Sequence, residues 1–132
     1  MQRILVIDDE LFVLEALKRV LGSTAVAVIG ASNADAGLTA MRESPVDLVI
    51  VDVILPGMDG VEAIKIMRRD FPDVRIIAIS GGGNFGLNSY LPDAISTNAY
   101  LAACKAAGAN GTLAKPFETA ELRALILQVQ SA

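Results

Sequence analysis

The chain has no histidine, no tryptophan and a single cysteine, and only 5% of its residues are aromatic. Without imidazole, histidine-based triads and most zinc sites are excluded, so any chemistry must run on carboxylates, hydroxyls and lysine. Cys104 has no partner for an internal disulfide, and its setting in Leu101-Ala102-Ala103-Cys104-Lys105 reads as a small, semi-buried thiol without a role. Apolar runs reach only about five residues before Asp, Glu or Gly interrupts them, too short for a membrane span or a signal-peptide core. An excess of positive charge is missing as well: 11 Lys and Arg face 15 Asp and Glu, a net charge of −4. No electrostatic footprint for nucleic acid exists, so direct DNA binding is not expected. These absences predict a cytoplasmic protein with neither a membrane nor a nucleic-acid partner.

What is present suffices for one core. A chain of 132 residues, 53% of them hydrophobic, buries about two-thirds of its unfolded surface, enough for one domain spanning residues 1–132. Because the sequence ends at Ala132 directly after its last helical stretch, no output domain is expected.

Short apolar segments recur at Ile4 to Ile7, Val26 to Ile29, Leu48 to Val51 and Ile76 to Ile79, with a weaker one at Thr112 to Ala114. They are continuous rather than alternating, the pattern of strands covered on both faces. Between and after them, apolar residues fall at helical spacing: Leu14, Leu17 and Leu21; Ala34, Leu38 and Met41; Val61, Ile64 and Met67; Leu122, Leu125, Ile126 and Val129. Asp59 and Glu62 resemble a capping box, and Gly22 and Gly108 stand where helices should stop. Alternating strands and helices imply a parallel sheet with crossover helices, an α/β sandwich of three layers. Ligands of such sheets gather at the carboxyl ends of the strands, where the strand order reverses.

One stretch breaks the rhythm. Residues 81–98 show no period and read as a long loop with one helical turn near Pro92.

The strand ends carry the polar residues. The first strand ends in Asp8-Asp9, the third in Asp52 and the fourth in Ser80, and Lys115-Pro116 follows the fifth. Taken singly, an acid pair after a strand is an N-cap with a solvated neighbour, and the lysine and serine are surface and strand-end residues. Together they share one edge of the sheet. Three carboxylates there would repel one another unless a cation lay between them, and hard oxygen ligands suit Mg²⁺. With such a cation, Asp52 at the end of the central strand can act as a nucleophile towards phosphorus, forming an acyl phosphate. Lys115 would contact the phosphoryl oxygens as a point charge, and the Ser80 hydroxyl could move to hydrogen-bond the added group. Asp47 and Asp73, at the opposite edge, read as solvated turn residues, and Glu10 reads as a first-turn helix charge.

Asp8-Asp9, then Asp52-Val53-Ile54-Leu55-Pro56-Gly57-Met58-Asp59-Gly60, then Ser80, then Lys115-Pro116-Phe117 resemble, in their usual order, the pattern of receiver domains of bacterial two-component response regulators, in particular stand-alone, chemotaxis-regulator-like ones. The resemblance covers nearly the whole chain. It implies a flavodoxin-like, five-stranded sheet of order 2-1-3-4-5 with five helices. It also implies Asp52 as phosphoacceptor, Mg²⁺ held by Asp8, Asp9, Asp52 and the Ile54 carbonyl, Lys115 on the phosphoryl group, and a cis bond before Pro116. The partner expected is a sensor histidine kinase or a histidine phosphotransferase, together with a downstream protein. The chain would be a phosphoacceptor that loses its phosphate unaided, not an enzyme; a relay shuttle and a non-phosphorylated scaffold are the alternatives.

Two departures from the family pattern stand out. Thr112 occupies the place, three residues before Lys115, where the family carries an aromatic switch residue. The separation of Ser80 from Lys115 is lengthened by an insertion placed at residues 84–98. Phe85, Leu87, Tyr90 and Leu91 would make that insertion either a partner-binding or homodimer-forming element or, given its Gly and Asn content, a disordered loop. Aspartate-nucleophile phosphatases would want the paired acids two apart on the first strand, and a flavin site would want a Ser/Thr/Gly-rich loop where Asp8-Asp9-Glu10 stands.

Overall fold

In the computed structural model, residues 2–54, 58–80 and 94–131 are described, with the backbone alone at 94–98. Among the described residues five strands and five helices alternate: β1 (Gln2–Ile7), α1 (Leu11–Leu21), β2 (Val26–Ala31), α2 (Ala34–Glu43), β3 (Leu48–Asp52), α3 (Gly60–Asp70), β4 (Arg75–Ser80), α4 (Ala94–Ala107), β5 (Gly111–Ala114) and α5 (Thr119–Ser131). The strands form one parallel sheet of order β2-β1-β3-β4-β5, as the resemblance implied.

Both faces of the sheet are covered, and strand periodicity decides which side chain goes where. Leu5, Ile7, Val49, Val51, Ile76 and Ala78 pack with Leu38 and Met41 of α2, Ile64 and Met67 of α3 and Cys104 of α4. Their neighbours Ile4, Val6, Leu48, Ile50, Ile77 and Ile79 face the other way, onto Leu14 and Leu17 of α1 and Leu122, Ile126 and Val129 of α5. The continuous apolar runs therefore feed two half-cores. The strand order turns between β1 and β3, whose register pairs Ile7 with Val51 and so sets Asp8 beside Asp52.

Helix ends follow local chemistry. Asn33 caps α2, its side-chain oxygen accepting from the Ala36 N–H at 2.8 Å, and Asp59 caps α3 by accepting from the Val61 N–H at 3.0 Å. Gly22 ends α1 in an extended conformation, φ −70°, whereas Gly108 ends α4 at φ +127°, a conformation that glycine alone adopts without strain. Gly60 serves closeness instead: a Cβ there would lie 2.4 Å from the Val53 Cα, so only glycine lets α3 start this close to the end of β3.

At the base of the sheet Arg68 joins two turns. Its guanidinium donates to the carbonyls of Pro72 (2.9 Å), Val74 (2.8 Å) and Gly108 (2.9 Å) and to Asn110 Oδ1 (2.9 Å). Asn110 Oδ1 also accepts from the Ile76 N–H at 2.8 Å. The α3–β4 and α4–β5 connections are thereby tied through one side chain. Asp47, exposed at this same end, accepts from the Arg3 N–H at 2.8 Å and so fastens the start of β1.

The stretch expected to be a loop through residue 98 is helical from Ala94 onward. Ser96, Thr97 and Asn98 are modest helix formers, and continuation into α4 overrides their preference. Phe85, Leu87, Tyr90 and Leu91, the apolar anchors expected in the insertion, lie outside the described residues, as do Leu55, Pro56 and Gly57. No described helix is long and apolar enough to cross a membrane.

Candidate functional site

Three strand ends and one turn build the site. Asp8 leaves β1 fully buried; its Oδ1 accepts from the Glu10 N–H at 2.9 Å, which locks the carboxylate against the start of α1. Asp52 closes β3, also buried, and its Oδ1 accepts from the Ile54 N–H at 2.9 Å. Each carboxylate thus spends one oxygen on the backbone two residues ahead, the turn that Asp adopts readily.

The second oxygens meet Lys115. Its Nζ lies 2.9 Å from Asp8 Oδ2 and 3.2 Å from Asp52 Oδ2. The lysine is placed by β5, which continues past Ala114 so that the Lys115 N–H donates to the Ser80 carbonyl at 2.8 Å, and the Lys115-Pro116 bond is cis. Ser80 is fully buried at the end of β4. Thr112, half-buried, pairs with Ala78 one layer below the rim.

Electrostatics here are set by burial and by the shared ammonium. Burial pushes the Asp52 carboxyl up to about 6, against the Ile54 N–H and Lys115, which favour the charged form; Asp8 adds to the rise. For Lys115 burial disfavours the charge, yet the neighbouring Asp52 and Asp8 outweigh it and raise the ammonium above its ordinary value.

Asp9 is exposed beside Asp8, and carboxylate oxygens of Asp8, Asp9 and Asp52 all lie within 4.8 Å of one another. Three convergent hard oxygens at a partly open edge fit a divalent cation such as Mg²⁺, which takes a few carboxylates and keeps several waters. The edge therefore assembles Asp8, Asp9, Asp52, Ser80 and Lys115, all five polar residues marked from the strand ends.

One member was missed. Glu10, read from sequence as a first-turn charge, is the residue before the first turn of α1, and its Oε1 sits 3.4 Å from Lys115 Nζ. The signal was its place two residues past Asp8, on the turn that leaves the reactive edge. Cys104, expected semi-buried, is fully buried in the core beneath α4.

Three carboxylates that could hold a cation, with a buried hydroxyl and a lysine beside them at the switch point of a 2-1-3-4-5 sheet, make the arrangement of a receiver-type domain. The family model described as "Response regulator receiver domain" matches residues 4–127, and the chain belongs to that family. It is 44% identical over 71 residues to the DNA-binding response regulator MtrA of Mycobacterium tuberculosis, an alignment covering 52% of this chain and 30% of MtrA. To the transcriptional regulatory protein YvrH of Bacillus subtilis it is 31% identical over 124 residues, 93% of this chain and 46% of YvrH. The chain thus spans less than half the length of these curated relatives. Among solved structures, a response regulator receiver domain protein from Clostridium thermocellum superposes with a TM-score of 0.78 at 28% identity, covering 98% of this chain and 94% of that one.

Proposed function

We propose that this receiver domain is a phosphorylation switch that takes a phosphoryl group on Asp52 from the phosphohistidine of a sensor kinase or of a histidine phosphotransferase. The observation that carries the reading is the position of the Asp52 carboxylate, at the carboxyl end of the central strand, against both Lys115 and the Asp8-Asp9 pair.

In the reaction an Asp52 oxygen attacks phosphorus, the P–N bond to the donor imidazole breaks, and that ring keeps the electron pair and takes up a proton. Asp52 becomes an acyl phosphate; attack of water later releases inorganic phosphate and restores the carboxylate. Mg²⁺ held by Asp8, Asp9, Asp52 and the Ile54 carbonyl would supply charge neutralisation at the phosphoryl oxygens. Lys115 binds one of those oxygens as a point charge. The Ser80 hydroxyl turns to hydrogen-bond the phosphoryl group, and β4 and the elements after it shift with it. Thr112 offers no aromatic ring to follow that movement, so the change passes to a downstream protein by another route along the β4–α4 side. No catalytic turnover of an external substrate is involved.

With Mg²⁺ and a small acyl phosphate donor, the full chain should gain one phosphoryl group by intact mass, and Asp52→Asn should gain none. Equal labelling of Asp52→Asn would remove Asp52 as the acceptor.

A further inference from the structure

Among the described residues Lys115 has three carboxylate partners, but only two of them belong to the group that converges as a cation site. Asp8 and Asp52 offer it Oδ2 because Oδ1 of each is already taken by a backbone N–H. A divalent cation entering among Asp8, Asp9 and Asp52 competes with the ammonium for these carboxylates, and two cations on one carboxylate repel. Cation entry therefore favours moving the ammonium.

Glu10 is placed to receive it. Asn33 and Asp59, the N-caps of α2 and α3, spend their side chains on capping their own helices; Glu10, the N-cap of α1, makes no side-chain cap. Its carboxylate reaches back over the site to Lys115 at 3.4 Å, with the side chain 34% exposed against 0% for Asp8. Its backbone is fastened to Asp8 by the 2.9 Å bond from the Glu10 N–H, which keeps the spare carboxylate beside the acid pair. Leaving Asp8 and Asp52 for Glu10 asks only a small swing of a flexible lysine stem whose nitrogen already touches all three.

We propose that Glu10 is a positioning residue that takes over the Lys115 ammonium when a divalent cation occupies Asp8, Asp9 and Asp52. By holding the displaced ammonium at the mouth of the site, it eases cation entry and keeps Lys115 within reach of the phosphoryl oxygens. The inference rests on the cation-site reading above.

A double-mutant cycle on the full chain tests it, with Mg²⁺ affinity measured by calorimetry in the wild type, Glu10→Gln, Lys115→Ala and the double variant, and folding checked by circular dichroism. Glu10→Gln should weaken Mg²⁺ binding about threefold or more, an ordinary coupling between contacting residues, and Lys115→Ala should tighten it. On the Lys115→Ala background, Glu10→Gln should cost less than about half of that effect, because no ammonium remains to be received. An equal loss on both backgrounds would overturn the exchange, leaving Glu10 a nearby negative charge while the cation site stands. A wild-type chain that binds no Mg²⁺ would overturn the cation site and the exchange together.

Discussion

At Asp52, burial and hydrogen bonding act in opposite directions: burial pushes the carboxyl up to about 6, while the Ile54 N–H and Lys115 pull it back towards the charged form. The neighbouring acids, the serine and the lysine were legible in the sequence for a simple reason: each follows a short apolar run, and parallel strands bring their carboxyl ends to one edge. Glu10 was not legible, because whether an N-cap side chain turns towards its own helix or back over the sheet is a matter of rotamer and packing, not of spacing. Cys104 shows the same limit from the apolar side, since its alanine-rich setting suggested partial exposure and the structure buries it. Burial, with a smaller contribution from Asp59, pushes its thiol up to about 11. Raising the pKa keeps the thiol protonated to higher pH, so alkylation of the native protein should be slow at pH 8 and should keep rising with pH towards 11. Fast alkylation of the native protein at pH 8 would show an ordinary, accessible thiol.

The elements were read well where periodicity was strong. All five strands fall where apolar runs marked them, and α1, α2, α3 and α5 follow the apolar spacing. The start of α4 was hidden because Ala94 to Asn98 carries no period and, Ala94 apart, no strong helix former, so its helicity comes from the chain that follows. The capping box at α3 was half right: Asp59 does cap, through Val61 rather than through the expected third position. Gly60, directly after that cap, makes a sharper prediction. Gly60→Ala sets a methyl group against the Val53 backbone and should destabilise the fold by about 1–3 kcal/mol in urea unfolding. No loss would mean that the start of α3 can retreat from β3 freely. Arg68 bonds to both basal turns, so Arg68→Met leaves partly buried carbonyls without donors and should cost about 1–3 kcal/mol. Hydrogen exchange would localise that effect, with faster exchange at Ala109 and Asn110 than in β1; a uniform change across the sheet would contradict the tie between the turns.

On the scale of the whole molecule, two half-cores hold a sheet whose carboxyl edge gathers Asp8, Asp9, Asp52, Ser80 and Lys115, while its base is tied by Arg68 and Asp47. Architecture, strand order and family were legible because doubly covered strands and ordered motifs leave few alternatives. What the switch speaks to was not, since partner choice lies in surface shape and charge that no motif encodes. MtrA and YvrH, each more than twice the length of the matched region, carry further sequence beyond it. The proposed switch rests on one coupling, by which occupation of Asp52 is felt at Ser80 and Lys115. It is tested most directly by amide NMR of the ¹⁵N-labelled chain in Mg²⁺, before and after adding beryllofluoride, a mimic of the aspartyl phosphate. Shifts centred on Asp52, Ser80 and Lys115 and extending into α4 are the predicted result; an unchanged spectrum would contradict the switch.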